Sequence, residues 1–274
     1  MKISILTPSY NQGEYIEKTI NSVQNQNWPN VEHIVIDGGS TDNTVEILKK
    51  YPHVRWVSEP DEGQADALNK GLKMATGDII GWINSDDYYY ENIFSDVIAE
   101  FKNKNINWII GDTTCTYPAH NIRDIRKSPE ITYYRLLANP DIVKQQATFF
   151  RKSALIEAGA WNKKYYMTMD YDLWIRLSKK YTPKMVAKKW AFFTHHEDQK
   201  STPKNSLIQI DNIKDILHKE NAPIHIISKI LIKKYYYYLK AVFKKILLRM
   251  RIIDSKYENI AISIAKNKSK NNTI

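Results

Sequence analysis

Apolar residues follow two rhythms along the first half of this chain. Residues 2–6, 31–36 and 79–83 are short runs rich in β-branched side chains and bounded by turn chemistry; Trp56 and Val57 sit in another, and residues 108–110 continue the series. Between these runs the spacing becomes helical. Tyr15, Ile16, Thr19, Ile20 and Val23 make a stripe on one helix face, and Ala65, Leu68, Leu72 and Ala75 make another. Thr41 and Asp42, placed before Val45, Ile47 and Leu48, read as the cap of a further helix. Strand and helix alternate in units of about thirty residues. This predicts an α/β fold: a mostly parallel central sheet with helices on both faces.

Composition narrows the picture. With 274 residues, 43% of them apolar, the chain has material for one large core, which excludes a disordered chain or a fibre. Cys115 is the single cysteine, so no intrachain disulfide forms and a reducing compartment is expected. The first fifteen residues read as strand and turn rather than as a signal peptide, and no run is long and apolar enough to span a membrane. The net charge of +10 is concentrated. Residues 205–274 hold 14 Lys and Arg against 5 Asp and Glu, which leaves residues 1–204 close to neutral. An anionic partner is therefore expected for the tail alone.

In a parallel sheet, ligands bind beyond the carboxyl ends of the strands. The first strand is followed by Thr7, Pro8, Ser9, Tyr10 and Asn11, the second by Asp37, Gly38, Gly39, Ser40, Thr41 and Asp42, and the strand at 79–83 by Asn84, Ser85, Asp86 and Asp87. Neither G-x-G-x-x-G nor G-x-x-x-x-G-K-[ST] is present, so the dinucleotide and P-loop signatures are missing. Asp86 and Asp87 on extended backbone point apart, so one can hold a ligand hydroxyl and the other Mg²⁺ or Mn²⁺; a plain turn is the alternative. Asp37 can cap a helix or accept from a base N–H. Tyr10 can stack on a base or belong to the core.

The segments T-P-S-Y-N-Q-G-E-Y, V-I-D-G-G-S-T-D-N-T, E-P-D-E-G-Q-A-D-A-L-N-K-G and G-W-I-N-S-D-D resemble the donor half of family 2 glycosyltransferases, which have the GT-A (Rossmann-like) fold. Q-A-T-F-F-R-K-S-A-L-I-E-A-G and M-D-Y-D-L-W-I-R-L resemble the acceptor half, so the likeness covers roughly residues 1–200. It implies a catalytic domain over 1–204, with a nucleotide-sugar half (1–112) and an acceptor half (113–204), followed by a basic helical tail (205–274). The implied reaction moves a sugar from a nucleoside diphosphate, UDP-sugar foremost, to a glycan or lipid-linked hydroxyl in bacterial cell-surface polysaccharide assembly. It is metal-dependent and inverting.

The resemblance also implies roles. Thr7, Pro8, Ser9 and Tyr10 line the nucleotide pocket with Glu14 nearby, Asp37 reads the base, Asp86 contacts the ribose and Asp87 ligates Mn²⁺ or Mg²⁺. Asp170 is the general base. Asp172 follows as a cap or a partner of Arg176, and His195 and His196 lie in a late loop that can close over the diphosphate and supply a metal ligand or a phosphate hydrogen bond, with His196 preferred. Departures stand at Asn84 and Met169, often acidic in the family, and at Leu68, often Arg. Lys70, Arg151 or Lys200 would then supply the missing cation.

Residues 224–253 carry eight Lys and Arg and no Asp or Glu. Lys229, Lys233, Lys240, Lys244 and Arg251 fall on one helical stripe, while Ile232, Tyr235, Leu239, Val242, Phe243, Ile246, Met250 and Ile253 share an uncharged sector. Such a helix suits an anionic membrane surface or packs on the body. The first use puts the protein in the cytoplasm on the inner membrane face, with no nucleic-acid partner. A nucleic-acid-binding protein with a basic arm is the competing class.

Overall fold

The computed structural model describes residues 1–117, 122–196, 199–200 and 205–249. Each of the expected apolar runs is a strand: β1 (Ile3–Ser9), β2 (Val31–Asp37), β3 (Val54–Ser58), β4 (Ile79–Trp82) and, after the two-residue β5 (Tyr88–Tyr89), β6 (Trp108–Tyr117). β7 (Ile122–Arg126), β8 (Thr148–Arg151) and β9 (Lys184–Thr194) join them. Among the described residues the order is β3-β2-β1-β4-β8-β6-β9-β5, with β7 paired to β6. β3, β2, β1 and β4 are parallel, as strand–helix alternation requires. Beyond β4 the sheet is mixed. β8 runs antiparallel to both β4 and β6, and β6 runs parallel to β9. The α/β class holds, and the parallel order belongs to residues 3–82.

Nine helices are described: α1 (Ile16–Gln24), α2 (Thr44–Leu48), α3 (Gln64–Met74), α4 (Ile93–Phe101), α5 (Tyr133–Ala138), α6 (Lys152–Glu157), α7 (Met169–Ser178), α8 (Ser206–Lys219) and α9 (Ile224–Arg249). The period-two pattern of β1 sends Leu6 toward α3 and α7, and Ile3 and Ile5 toward α4. The α1 stripe is buried as expected, and Ile16 and Ile20 pack with Val35 and Leu48. α3 lies close on the sheet through Gly71, where a Cβ would stand 2.5 Å from Ile36 Cδ1. That approach brings the start of α3 over the ends of β1 and β4.

The expected cap of α2 differs in detail. Asn43 holds the cap position without a side-chain bond, and Asp42 instead accepts from Thr44 N (3.0 Å) and Gly13 N (2.9 Å). Asp42 thus ties the loop after β1 to the loop after β2.

The C-terminal helices divide the basic segment. α8 buries Ile213, Ile216 and Leu217 in the same cluster as Trp174 and Leu177 of α7. α9 buries Ile227 and Ile230 there, but Ile232, Leu239, Val242, Phe243 and Ile246 are at the surface, with Leu239 and Phe243 each 61% exposed. Packing on the body and an open apolar face therefore occupy successive parts of one helix. Among the described residues, no helix is long and apolar enough to cross a membrane. Met250, Arg251 and Ile253 lie outside the described residues.

Candidate active site

The carboxyl ends of β1, β2 and β3 are level, with Ser9 opposite Asp37 and Asp37 opposite Ser58. Against this rim stand the start of α7 and the side of α8, and between them lies a cavity of about 730 Å³. Pro8, Ser9, Tyr10, Asp86 and Asp170 all line it. Tyr10 is 59% exposed, so it is a surface ring and not a core residue. Ser9 Oγ and Gln12 Oε1 are buried without hydrogen-bond partners among the described residues, and both residues border the cavity.

The other expected residues lie behind or beside that lining. Thr7 is fully buried, with its hydroxyl 2.9 Å from His33 Nε2. Burial holds His33 down at about 3, which keeps it neutral. Glu14 is exposed and does not border the cavity. Asp37 is buried and accepts from Gly39 N (3.2 Å), Ser40 N (2.9 Å), Ser40 Oγ and Ser58 Oγ (2.6 Å), which fixes the loop after β2. The carboxylate beside that loop that reaches the cavity is Asp61, in the loop before α3. A Cβ on Gly38 would stand 2.8 Å from Asp61 Oδ2, so glycine at 38 leaves that carboxylate its place.

The adjacent carboxylates separate sharply. Asp87 is fully buried and accepts from Thr194 N (2.9 Å), Gln146 Nε2 (3.0 Å) and Asn84 Nδ2 (3.4 Å). Burial, then the charge of Asp86, pushes its pKa well up against those donors. Asp86 faces the cavity, and its Oδ2 is 3.0 Å from His196 Nε2. His196 stacks on Tyr15 at 4.3 Å, and its Nδ1 is buried with no partner among the described residues. His195 is turned away, stacked on Tyr117. Asn84 accepts from Gln64 (2.7 Å) and from the Trp82 indole (2.9 Å), and donates to Gln145 (3.3 Å) and Asp87. A carboxylate at 84 would have no donor for those last two oxygens.

Asp170 sits in the first turn of α7 and accepts from Tyr171 N at 2.8 Å. Burial raises its pKa; that N–H and Lys200 oppose the rise, and Asp141 adds to it. Asp172 is a partner of Arg176, paired at 2.7 Å and closed off from solvent. Lys144 and Lys200 are the cations that border the cavity among the described residues, and Lys200 is the one set beside Gln64 and Tyr166. Its Nζ donates to the Tyr166 carbonyl (2.5 Å) and Gln64 Oε1 (3.3 Å) and lies 4.0 Å from the Tyr166 ring centroid. Lys70 pairs instead with Glu59 (2.8 Å), and Arg151 donates to the carbonyls of Phe101, Asn103 and Ile106. Asp61, Asp141 and Lys200 thus join the site. Asp61 lay inside a quoted motif, whereas Asp141 carried no signal beyond Asn-Pro-Asp turn chemistry.

The model of the family described as glycosyl transferase family 2 matches residues 4–159, more than half of the sequence. The chain belongs to glycosyl transferase family 2. Within family 2, it is 31% identical over 136 residues to the uncharacterized glycosyltransferase YibD of Escherichia coli (strain K12). That match covers 44% of this chain and 40% of YibD, so the chain spans less than half of that relative's length. The crystal structure of S. aureus TarS 1-349 in complex with UDP-GlcNAc is similar with a TM-score of 0.64 at 20% identity, over 86% of this chain and 73% of that one. The mannosyltransferase PcManGT from Pyrobaculum calidifontis, in complex with GDP-Man and Mn²⁺, gives 0.59 at 16% identity, over 97% and 79%. At such identities these likenesses carry the GT-A fold alone.

The residues present suit a hard divalent ion that brings its own oxygen ligands. Among the described residues, no cluster of three or more His, Cys, Asp or Glu side chains is placed to hold a metal. Asp86 lines the cavity, and His196 beside it adds a nitrogen donor to that oxygen donor. Mg²⁺ and Mn²⁺ commonly take one or two protein ligands and complete their shell with phosphate oxygens and water.

Proposed function

We propose that the protein transfers a sugar from a UDP-sugar to a hydroxyl of a glycan or lipid-linked acceptor, with inversion, in cell-surface polysaccharide assembly. The observation that carries this reading is that Asp86, Lys200 and Asp170 line one cavity together with Ser9 and Tyr10. The base would lie on Tyr10 with Asp61 accepting its N–H, and the diphosphate would lie by Asp86 and Lys200. Asp86 and His196 would hold Mn²⁺ or Mg²⁺, which supplies electrostatic stabilisation to a leaving diphosphate. Thr7, Asp37 and Asp87 support this arrangement from behind. Glu14 has no assigned contact.

The chemistry of the chain's own groups follows. As the bond from the anomeric carbon to the diphosphate oxygen breaks, both electrons leave with the diphosphate, and the ammonium of Lys200 offsets the new charge. An acceptor oxygen attacks the opposite face, and its proton passes to Asp170. A single displacement inverts the anomeric centre. Release of UDP should be measured with a panel of UDP-sugars and Mn²⁺. No release with any donor, by protein that binds UDP, would sink the transferase reading.

Lys200 gives this reading a pH signature. Burial lowers its pKa to about 8, while Asp170 of α7 and Asp61 of the loop before α3 raise it. The useful form is the charged one, so kcat/KM is expected to fall as pH rises through about 8. Lys200→Arg keeps the charge and should remove that limb, whereas Lys200→Met should lower kcat by about 10- to 100-fold at neutral pH. An alkaline limb unchanged in the Arg variant would assign it to another group.

The exposed apolar face of α9, flanked by lysines, supports attachment to an anionic membrane from the cytoplasmic side. Flotation with vesicles containing phosphatidylglycerol is expected to carry the protein up at low salt, and Leu239→Glu/Phe243→Glu should leave it at the bottom. Recovery of that double variant with the vesicles would count against the membrane role. A gel shift with RNA or DNA is expected to show no complex.

A further inference from the structure

Lys200 follows β9 in the chain, yet groups from two other segments grip its ammonium. Nζ donates to the carbonyl of Tyr166, ahead of α7, at 2.5 Å, and to Oε1 of Gln64, the first residue of α3, at 3.3 Å. It also stands 4.0 Å over the Tyr166 ring. Gly63 lets that ring approach α3: its φ is +102°, and a Cβ there would stand 3.3 Å from Tyr166 Cε2. Lys144, the other cation on the lining, is held differently. It donates to the Asp141 carbonyl three residues back (3.1 Å), while Lys234 of α9 pairs with the Asp141 carboxylate at 2.8 Å.

The direction of the Gln64 amide is forced by its neighbours. The Trp82 indole at the end of β4 can only donate, so the oxygen of Asn84 faces it at 2.9 Å. Gln64 Nε2 donates to that same oxygen at 2.7 Å. The Asn84 nitrogen faces Gln145 Oε1 (3.3 Å) and Asp87 Oδ2 (3.4 Å), so neither of its amide groups can be exchanged without losing bonds. Gln64 therefore turns its own oxygen to Lys200, which also can only donate. Trp82, Asn84, Gln64 and Lys200 all border the cavity. A hydrogen-bonded relay of one allowed polarity thus runs from the end of β4 to the ammonium. An ammonium has three N–H groups; with two directed at Tyr166 and Gln64, the direction of the third is set.

We propose that Gln64 is a positioning residue: through the relay from Trp82 and Asn84 it aims the Lys200 ammonium at the leaving diphosphate. The inference rests on the transferase reading, which gives Lys200 a charge to offset, and adds the residue that orients it. A donor already aimed at developing charge stabilises it more than one that must turn as the bond breaks. Without Gln64 Oε1, Lys200 keeps its charge and loses its fixed direction. The loss therefore falls on kcat and spares UDP binding.

A double-mutant cycle on the full chain tests this, with UDP release from the most active UDP-sugar of a panel in Mn²⁺ and UDP binding by calorimetry. Gln64→Met keeps the length of the side chain and removes the acceptor; kcat is expected to fall about five- to tenfold, with UDP affinity within about threefold of wild type. In the Lys200→Met background the same change should cost less than about twofold, because no ammonium is left to aim. Gln64→Glu supplies a second reading. A carboxylate facing the ammonium favours its charged form, so the alkaline decline of kcat/KM should begin at higher pH than in wild type, and in Gln64→Met at lower pH. Asp61 and Asp170, the charges that raise the Lys200 pKa, are present throughout. Equal losses in the two backgrounds, or an alkaline decline at one pH in wild type and both variants, would overturn the positioning role. No UDP release by wild-type protein that binds UDP would remove the transferase reading and this one with it; release with additive losses removes this one alone.

Discussion

Asp170→Asn is expected to lower kcat for sugar transfer by about a thousandfold, while UDP affinity and melting temperature stay close to wild type. The carboxylate borders the cavity, and its one hydrogen bond from the described residues comes from its neighbour's backbone N–H. Asparagine keeps an oxygen for that N–H and fills the same space, so the change removes basicity and little else. The pH profile gives a second reading. Burial raises the Asp170 pKa, the Tyr171 N–H opposing and Asp141 adding to the rise. The active form is the deprotonated one, so kcat/KM should decline as pH falls, beginning above the ordinary aspartate range. Stopped assays of UDP release across pH would show that acid limb in wild type. An Asn variant within tenfold of wild type would place the base elsewhere.

Asp86→Ala should remove metal-stimulated turnover almost entirely, by about a thousandfold or more, and leave the fold intact. Asp87→Asn should do the reverse. Its carboxylate is buried and receives three donors, so an amide there turns one N–H₂ toward groups that also donate, and the melting temperature should drop by several degrees. Titration of Mn²⁺ in the presence of UDP, beside thermal melts, separates the two residues. A stable Asp87→Asn that has lost Mn²⁺, together with an Asp86→Ala that binds it normally, would exchange their roles.

The contrast between these neighbours shows where sequence patterns stop being informative. Period-two and helical spacings identified β1, β2, β4 and α1, because a half-buried element must repeat its apolar residues with its own geometry. Asp172 and Arg176, four apart, could be paired from the sequence for the same reason. Which of two consecutive carboxylates faces a cavity depends on the path of the chain leaving β4, and no local spacing encodes that. Gly38 and Asp61 are a sharper case. They lie 23 residues apart, and only the loops beside β2 and β3 bring the carboxylate to the place the glycine leaves open. The antiparallel return of β8 escaped for a similar reason, since pairing partners are set by the topology of the connections.

The bond from Lys234 to Asp141 also bears on how the protein would work at a surface. α9 has 26 residues, so as a rigid rod it is about 39 Å long. Its first turns are clamped to the body by Ile227 and Ile230, and Lys234 touches the mouth of the cavity just where the clamped part ends. The arm beyond that point would thus act as a lever whose fulcrum adjoins the mouth of the cavity. Whatever grips the far end sets both the tilt of the body and the height of that entrance above the gripping surface. The reach demanded of a molecule entering the cavity from that surface would therefore be fixed by the geometry of one helix.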